Sequence, residues 1–282
     1  MASRPPTGWP GSGTKSGAKP GATHEQIGRR ERGERARRET LRGDDANETV
    51  IMYGWHTVTA ALRNPQRTIR KFLVTENAAR KLTEEGIESM LEPEIVRPTA
   101  IADRLLPDAV HQGLYLETDP LPSPSVETIS ARGLVLVLDQ ITDPHNVGAI
   151  FRSAAAFGVT AIVTTQRHSP DATGALAKAA SGALEHVPLV SVQNLARGLA
   201  ALKESGFLVV GLDSDGEADL AALKLRTPLA LVLGAEGKGL RQLTKEICDH
   251  VARIDLPGEI RSLNVSNAAA LGLYVASRAS KT

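Results

Sequence analysis

The feature that most constrains this chain is a series of short apolar, β-branched runs in its C-terminal half. They are LVLVLD (134–139), TAIVTT (160–165), VPLVSV (187–192), FLVVGL (207–212), PLALVLG (228–234) and VARIDL (251–256). Between and after them lie stretches with helical patterning, at 146–157, 172–184, 193–205, 239–249 and 264–279. Strands alternating with helices, and apolar throughout rather than on every second residue, predict an α/β fold with a parallel sheet covered on both faces. In such sheets a ligand sits beyond the carboxyl ends of the strands, so the residues that follow each strand are the place to look for chemistry.

Upstream the pattern changes. Residues 49–119 read as a smaller α/β unit, with a helix in GWHTVTAALRNP ended by Asn64-Pro65, a strand at 69–75, a helix at 77–91 and a strand at 112–118. The proline- and serine-rich DPLPSPSVE (119–127) marks a linker, which we place at 120–131, before a second domain at 132–282. Residues 1–48 hold no periodic apolar pattern. Their first part is rich in Gly, Pro, Ser and Thr, and RRERGERARRETLR (29–42) carries seven Arg against three Glu. This composition predicts a disordered basic tail, either a solvated linker or an arm for RNA phosphates.

Composition narrows the classes. With 33 Lys+Arg against 32 Asp+Glu the net charge is +1, so any basic footprint is local. The one cysteine, Cys248, excludes a disulfide framework and a cysteine-rich metal site. Aromatic residues make up 3% of the chain, too few for a row of base-stacking platforms. No run is long and apolar enough to span a membrane, and the N-terminus lacks the apolar core of a secretory signal, so a cytoplasmic setting is expected.

Three segments that follow strands stand out. In DQITDPHNVGAIFRSAAAFG, Asp143-Pro144 makes a turn and Asn146 is a candidate N-cap; Gly148 and Arg152, four residues apart, share a helix face. Arg152 interrupts a helix of small and apolar residues, where a charge needs a partner or an anionic ligand. LGAEGKGL (233–240) matches neither the P-loop nor the Rossmann glycine spacing, which argues against an ATP- or NAD-binding enzyme. Its glycines still let a ligand approach the backbone, with Glu236 in their midst. After the last strand, Ser262, Asn264, Ser266 and Asn267 place four small polar groups at the start of one helix, which needs a single cap.

Together, DPHNVGAIFRSAAAFG, LVLGAEGKGL and IDLPGEIRSLNVSNAAALGLYVASR resemble the three motifs of the SpoU family of RNA 2′-O-ribose methyltransferases, within the SPOUT superfamily. The preceding domain, with YGWHTVTAALRNP and HQGLYLET, is similar to the ribosomal-protein-like RNA substrate-binding domain of the bacterial 23S rRNA (guanosine-2′-O-)-methyltransferases. Asn267 is a local departure, standing where an apolar residue is expected. The resemblance implies a C-terminal trefoil knot, a homodimer with its active sites at the subunit interface, and S-adenosylmethionine (SAM) as cofactor. It implies cofactor contacts at Gly234, Ile254 and Leu263, with Thr164 or Leu233 as further ones. It implies a polar active-site set of Asn146, Arg152, Glu236, Ser262 and Asn264, and no metal.

The implied substrate is a guanosine ribose in 23S rRNA; tRNA or another rRNA nucleotide is the alternative. A non-catalytic RNA-binding module is a remoter one, which the presence of Asn146, Arg152, Glu236 and Asn264 opposes. A ribose 2′-hydroxyl needs its proton removed as it attacks. The resemblance casts Arg152 as that base, but a guanidinium keeps its proton far above neutral pH, so a phosphate clamp that stabilises the developing alkoxide is the other reading.

Overall fold

A computed structural model describes residues 49–168, 174–259 and 262–279 of the chain. The basic segment 1–48, on which the tail expectation falls, lies outside the described residues.

The first sheet is built from β1 (Val50–Tyr53), α1 (Trp55–Arg63), β2 (Ile69–Val74), α2 (Glu76–Glu84), β3 (Glu94–Ile95), α3 (Pro98–Ala102) and β4 (Leu114–Thr118). Its strand order is β1-β4-β2-β3, with β4 antiparallel to both β1 and β2. The second part runs β5 (Leu134–Asp139), α4 (Pro144–Ala156), β6 (Ala161–Thr165), α5 (Gly174–Ala180) and β7 (Leu189–Val192). It continues with α6 (Leu195–Glu204), β8 (Leu208–Leu212), β9 (Ala218–Asp219), β10 (Leu229–Gly234), α7 (Gln242–Ile247), β11 (His250–Arg253) and α8 (Val265–Ala279).

These seven strands form one sheet in the order β7-β6-β5-β10-β8-β11-β9, and every pairing is parallel. Successive side chains alternate between two buried faces. Leu136, Ile162, Val210 and Leu231 pack toward α4, α5 and α8, whereas Val135, Val163, Val209 and Val232 pack toward α6. That is why the strands read as continuous apolar runs. The sheet order brings the carboxyl ends of β5, β10 and β8 side by side, with Gly234 paired to Asp139.

Several boundaries differ from the sequence reading. The helix expected over 77–91 stops at Glu84, because Gly86 turns the chain with φ 63°. Of the stretch 172–184, the described helix covers Gly174–Ala180 and is broken by Ser181 and Gly182, both at positive φ. The helix expected from 239 begins at Gln242, since Gly239 and Leu240 belong to a loop closed around Asp213. The cap of α4 is Asp143, whose carboxylate accepts from the His145 and Asn146 N–H groups; Asn146 itself sits inside the first turn with its side chain free for other bonds. Gly148 lets α4 pack closely on α5, for a Cβ there would lie 2.3 Å from Ala179 Cβ.

The two sheets share a hydrophobic core: Val50, Met52 and Leu116 belong to the same cluster as Leu134 and Ile150. A buried ion pair reinforces this. Arg67 Nη2 lies 2.7 Å from Glu185 Oε1, with side-chain exposures of 4% and 1%. Asn64 Nδ2 donates to Glu185 Oε2 at 2.7 Å, and Arg67 Nη1 donates to the Asp119 carbonyl at 2.9 Å. Removing one member strands the other as an uncompensated buried charge. Arg67→Ala or Glu185→Ala should therefore lower stability by about 3–5 kcal/mol in urea unfolding. The double apolar variant Arg67→Met/Glu185→Leu should be less damaging than either single change.

Candidate active site

The loop after β10 is the scaffold of the site. It turns back on itself, with Gly239 N donating to the Ala235 carbonyl at 2.9 Å. A Cβ on Gly234 would lie 2.2 Å from the Gly239 carbonyl carbon, and one on Gly239, at φ 64°, would lie 2.5 Å from Asp213 Oδ2. Both positions admit only glycine. The loop wraps Asp213, whose Oδ2 accepts from Leu240 N at 3.0 Å and pairs with Lys245 Nζ at 2.9 Å. Burial alone would raise the Asp213 carboxyl, but the bonds from Leu240, Lys245 and Asp215 outweigh it and hold it below the usual carboxylate range. Asp213 follows β8 directly, so the strand-end rule had a signal for it that the sequence reading left unused.

The loop tip carries Glu236 to two other segments. Its Oε1 accepts from Asn264 Nδ2 at 2.6 Å, from Val265 N at 3.2 Å and, at the long limit of 3.5 Å, from Asn146 Nδ2. Asn264 Nδ2 also donates to Asn146 Oδ1 at 2.9 Å. Asn264 Oδ1 in turn accepts from Ser266 N and Ser266 Oγ. One carboxylate oxygen thus joins the start of α4, the β10 loop and the start of α8. The surplus of polar groups before α8 resolves into separate tasks: Asn264 and Ser266 serve the cluster, and Ser262 lines a cavity.

That cavity has a volume of about 400 Å³. It is lined by Leu233, Gly234, Ile254 and Leu263, together with Glu236 and Ser262 and the rim residues Asp213 and Lys238. Thr164 is not part of the lining; it is buried on β6, two strands from β10, and its hydroxyl has no hydrogen-bond partner among the described residues. A second cavity of about 350 Å³ adjoins the first, sharing Ala235, Glu236, Lys238 and Val265, and extends over Asp143 and Asn146. Glu236 lines both cavities and Asn146 the second, and Asn264 is hydrogen-bonded to each of these residues.

Arg152 is not brought into this cluster. It is exposed on α4, and no hydrogen bond or ion pair holds it among the described residues. Its guanidinium lies on the exposed face of the helix, where the partner or anionic ligand expected of it is not supplied by the described residues. Asp139, at the end of β5, was also missed by the sequence reading: it accepts from Arg241 N, Arg241 Nε and Thr244 Oγ1 and ties α7 to the sheet. Burial pushes the Cys248 thiol up to about 12, so it holds its proton and offers no nucleophile. Among the described residues no group of His, Cys, Asp and Glu is placed to hold a metal.

The sequence signature of the SpoU rRNA Methylase family spans residues 133–274. This chain belongs to that family. Residues 51–124 match the family of RNA 2′-O ribose methyltransferase substrate-binding domains. The chain is 40% identical over 241 residues to the 23S rRNA (guanosine-2′-O-)-methyltransferase RlmB of Photorhabdus laumondii, covering 81% of this chain and 97% of that protein. Among solved structures, a TrmH-family protein from Porphyromonas gingivalis is 26% identical with a TM-score of 0.71, covering 93% of this chain and all of that one. The SpoU methyltransferase AviRb of Streptomyces viridochromogenes, solved with AdoMet, is 23% identical with a TM-score of 0.70, covering 88% of this chain and 92% of that one, and shares the fold.

The bonds at Glu236 Oε1 lie at the protein surface, where water can replace them. Glu236→Ala should thus cost only about 1 kcal/mol, a melting-temperature drop of about 2–4 °C. Its local effect should be larger: the Val265 amide should exchange its hydrogen markedly faster while the amides of β5 and β10 are unchanged.

Proposed function

We propose that this protein transfers a methyl group from SAM to a ribose 2′-hydroxyl of RNA, with a guanosine of 23S rRNA as the target. The observation that carries the reading is the junction of two cavities at the Glu236–Asn264–Asn146 cluster, in a member of the SpoU family. The residues present fit the cofactor. Leu233, Ile254 and Leu263 offer apolar walls for an adenosyl group, the glycines at 234 and 239 let it approach the backbone, and the Glu236 carboxylate suits a cation, Asp213 being already paired with Lys245. SAM supplies, when bound, a methyl group activated on a sulfonium. Ser262 stands at the rim of the same cavity as a hydrogen-bonding group.

Asn146 and Asn264 orient the incoming ribose, and Glu236 holds both amides in register. The second cavity, reached past Asp143 and Asn146, takes the target nucleotide. Arg152, exposed and without a partner among the described residues, acts on the substrate phosphate rather than as a base within its own chain's cluster. Its place on α4 suits a homodimer in which each Arg152 serves the site of the other protomer. The exposed Leu271 and Tyr274 on α8, which packs beside α4, support such an interface. The closure of the 235–239 loop on the start of α8 is the arrangement a trefoil knot would give. An rRNA substrate places the protein in the cytoplasm. The domain division at 49–119, 120–131 and 132–282 follows, with the first domain holding RNA.

The test is direct. Arg152→Ala should abolish methylation of 23S rRNA while leaving S-adenosylhomocysteine binding unchanged in calorimetry. Arg152→Lys should lose most of the rate and raise the RNA KM with little shift in pH optimum, because lysine keeps the charge but not the planar fork. A lysine variant with sizeable activity and a lower pH optimum would favour the base. Leu263→Trp, which fills the cofactor cavity, should abolish S-adenosylhomocysteine binding with the fold intact; unchanged binding would place the cofactor elsewhere.

A further inference from the structure

The first sheet carries a cavity of its own, of about 330 Å³, far from the cluster at Glu236 in sequence. Its volume lies within the roughly 300–1,000 Å³ of small-ligand clefts. The start of α1, the β2–α2 junction, the start of α3 and the loop before β4 contribute to it. Trp55, Ala78 and Pro98 form apolar wall; Asn77, Lys81, His111 and Gln112 supply the polar groups.

The hydrogen-bond state of those polar groups is unusual in one respect. Gln112 Oε1 accepts from the Trp55 N–H at 2.8 Å, so its amide turns the NH₂ outward. His111 Nδ1 accepts from the Gly113 N–H at 3.1 Å; partial burial lowers the imidazole pKa, and the neutral ring then carries its proton on Nε2. Asn77 Oδ1 accepts from Arg80 Nη2 at 2.8 Å, which again leaves NH₂ as the free end. Lys81 adds an ammonium, held 3.9 Å from the centroid of the Trp55 ring and 3.6 Å from the exposed Glu85 carboxylate, which lies outside the cavity lining. No carboxylate lines the cavity. Apart from the Thr75 hydroxyl, which also lines the cavity and can donate or accept, every polar side chain presents a donor. Gln112 is held for this at φ 53°, a conformation that residues other than glycine rarely adopt.

A half-apolar cleft walled by donors selects a flat ligand with acceptors along one edge. Unstacked RNA bases are recognised through such edges. On the major-groove edge guanine shows O6 and N7 as acceptors and uracil shows O4; on that same edge cytosine replaces the oxygen with the N4 amino donor, which would face donors here. We propose that this cleft is a base-reading subsite that takes an unstacked guanine or uracil of the RNA, by donation from Asn77, His111, Gln112 and Lys81. The proposal rests on the RNA reading above and deepens it: the small domain reads base identity and does more than attract phosphate.

The experiment compares a uridine decamer with a cytidine decamer at one salt concentration, so that the phosphate contribution is common to both. The protein is the full chain with Trp9→Phe, which leaves Trp55 as its remaining tryptophan and a reporter at the cleft. The uridine decamer should bind about tenfold more tightly and change the Trp55 emission. Asn77→Ala, which removes a donor without adding charge, and Asn77→Asp, which replaces it with an acceptor, should both erase the preference. S-adenosylhomocysteine binding should be unchanged in each variant. Equal binding of the two decamers by the unsubstituted cleft, or a preference that survives both Asn77 changes, would overturn the subsite. Methyl transfer to 23S rRNA is read in the same samples; its absence would overturn the methyltransferase reading, whatever the decamers show.

Discussion

The close approach of Gly234 to Gly239 is the constraint on which the rest of the site depends. A Cβ on Gly234 would run into the returning backbone at Gly239, and one on Gly239, held at φ 64°, would run into the Asp213 carboxylate. That return places Leu240 N on Asp213, frees the loop tip to carry Glu236 outward, and leaves the Gly234 backbone at the lining of the larger cavity. Glu236 then reaches both the first turn of α4 and the start of α8 through one oxygen. A parallel sheet supplies the strand ends; the loop converts them into a site.

The buried Arg67–Glu185 pair sets a second constraint. An ion pair removed from water is weak support for stability, yet strict about geometry, since losing either partner is costly. Here it ties the residues after α1 to the segment after α5, with Asn64 and the Asp119 carbonyl completing the bonds. The first sheet is thereby held in a defined relation to the sheet that bears the cluster. For an enzyme that must bring one ribose among many to one methyl group, a fixed spacing between the reading cleft and the reacting cavity is itself a source of selectivity.

Much of this was legible in the sequence, for identifiable reasons. Strands such as LVLVLD and PLALVLG declare themselves because both faces are buried. Glu236 and Asn264 stood out through the glycines and polar groups around them. Other features left no local trace. Asn146 reads as a cap, but Asp143 caps α4 because its carboxylate precedes Pro144 in the better position, and this frees Asn146 for the cluster. Arg152 reads as a charge needing a partner, and only the packing of α4 shows that it faces outward. The Arg67–Glu185 pair spans 118 residues of chain, so no window of sequence could reveal it. The donor-only cleft depends on which end of each amide is already bonded, which a residue type does not tell.

The central claim is that one chain aligns an RNA ribose with a methyl donor at the Glu236–Asn264–Asn146 cluster. It is tested most directly by mapping ribose methylation across 23S rRNA and tRNA from cells with the protein, without it, and with Asn264→Ala in its place. The account predicts a single 23S rRNA guanosine that carries a 2′-O-methyl group only when the intact protein is present, and loses it in the Asn264 variant. Unchanged 23S rRNA methylation in cells lacking the protein, or full methylation with Asn264→Ala, would contradict it.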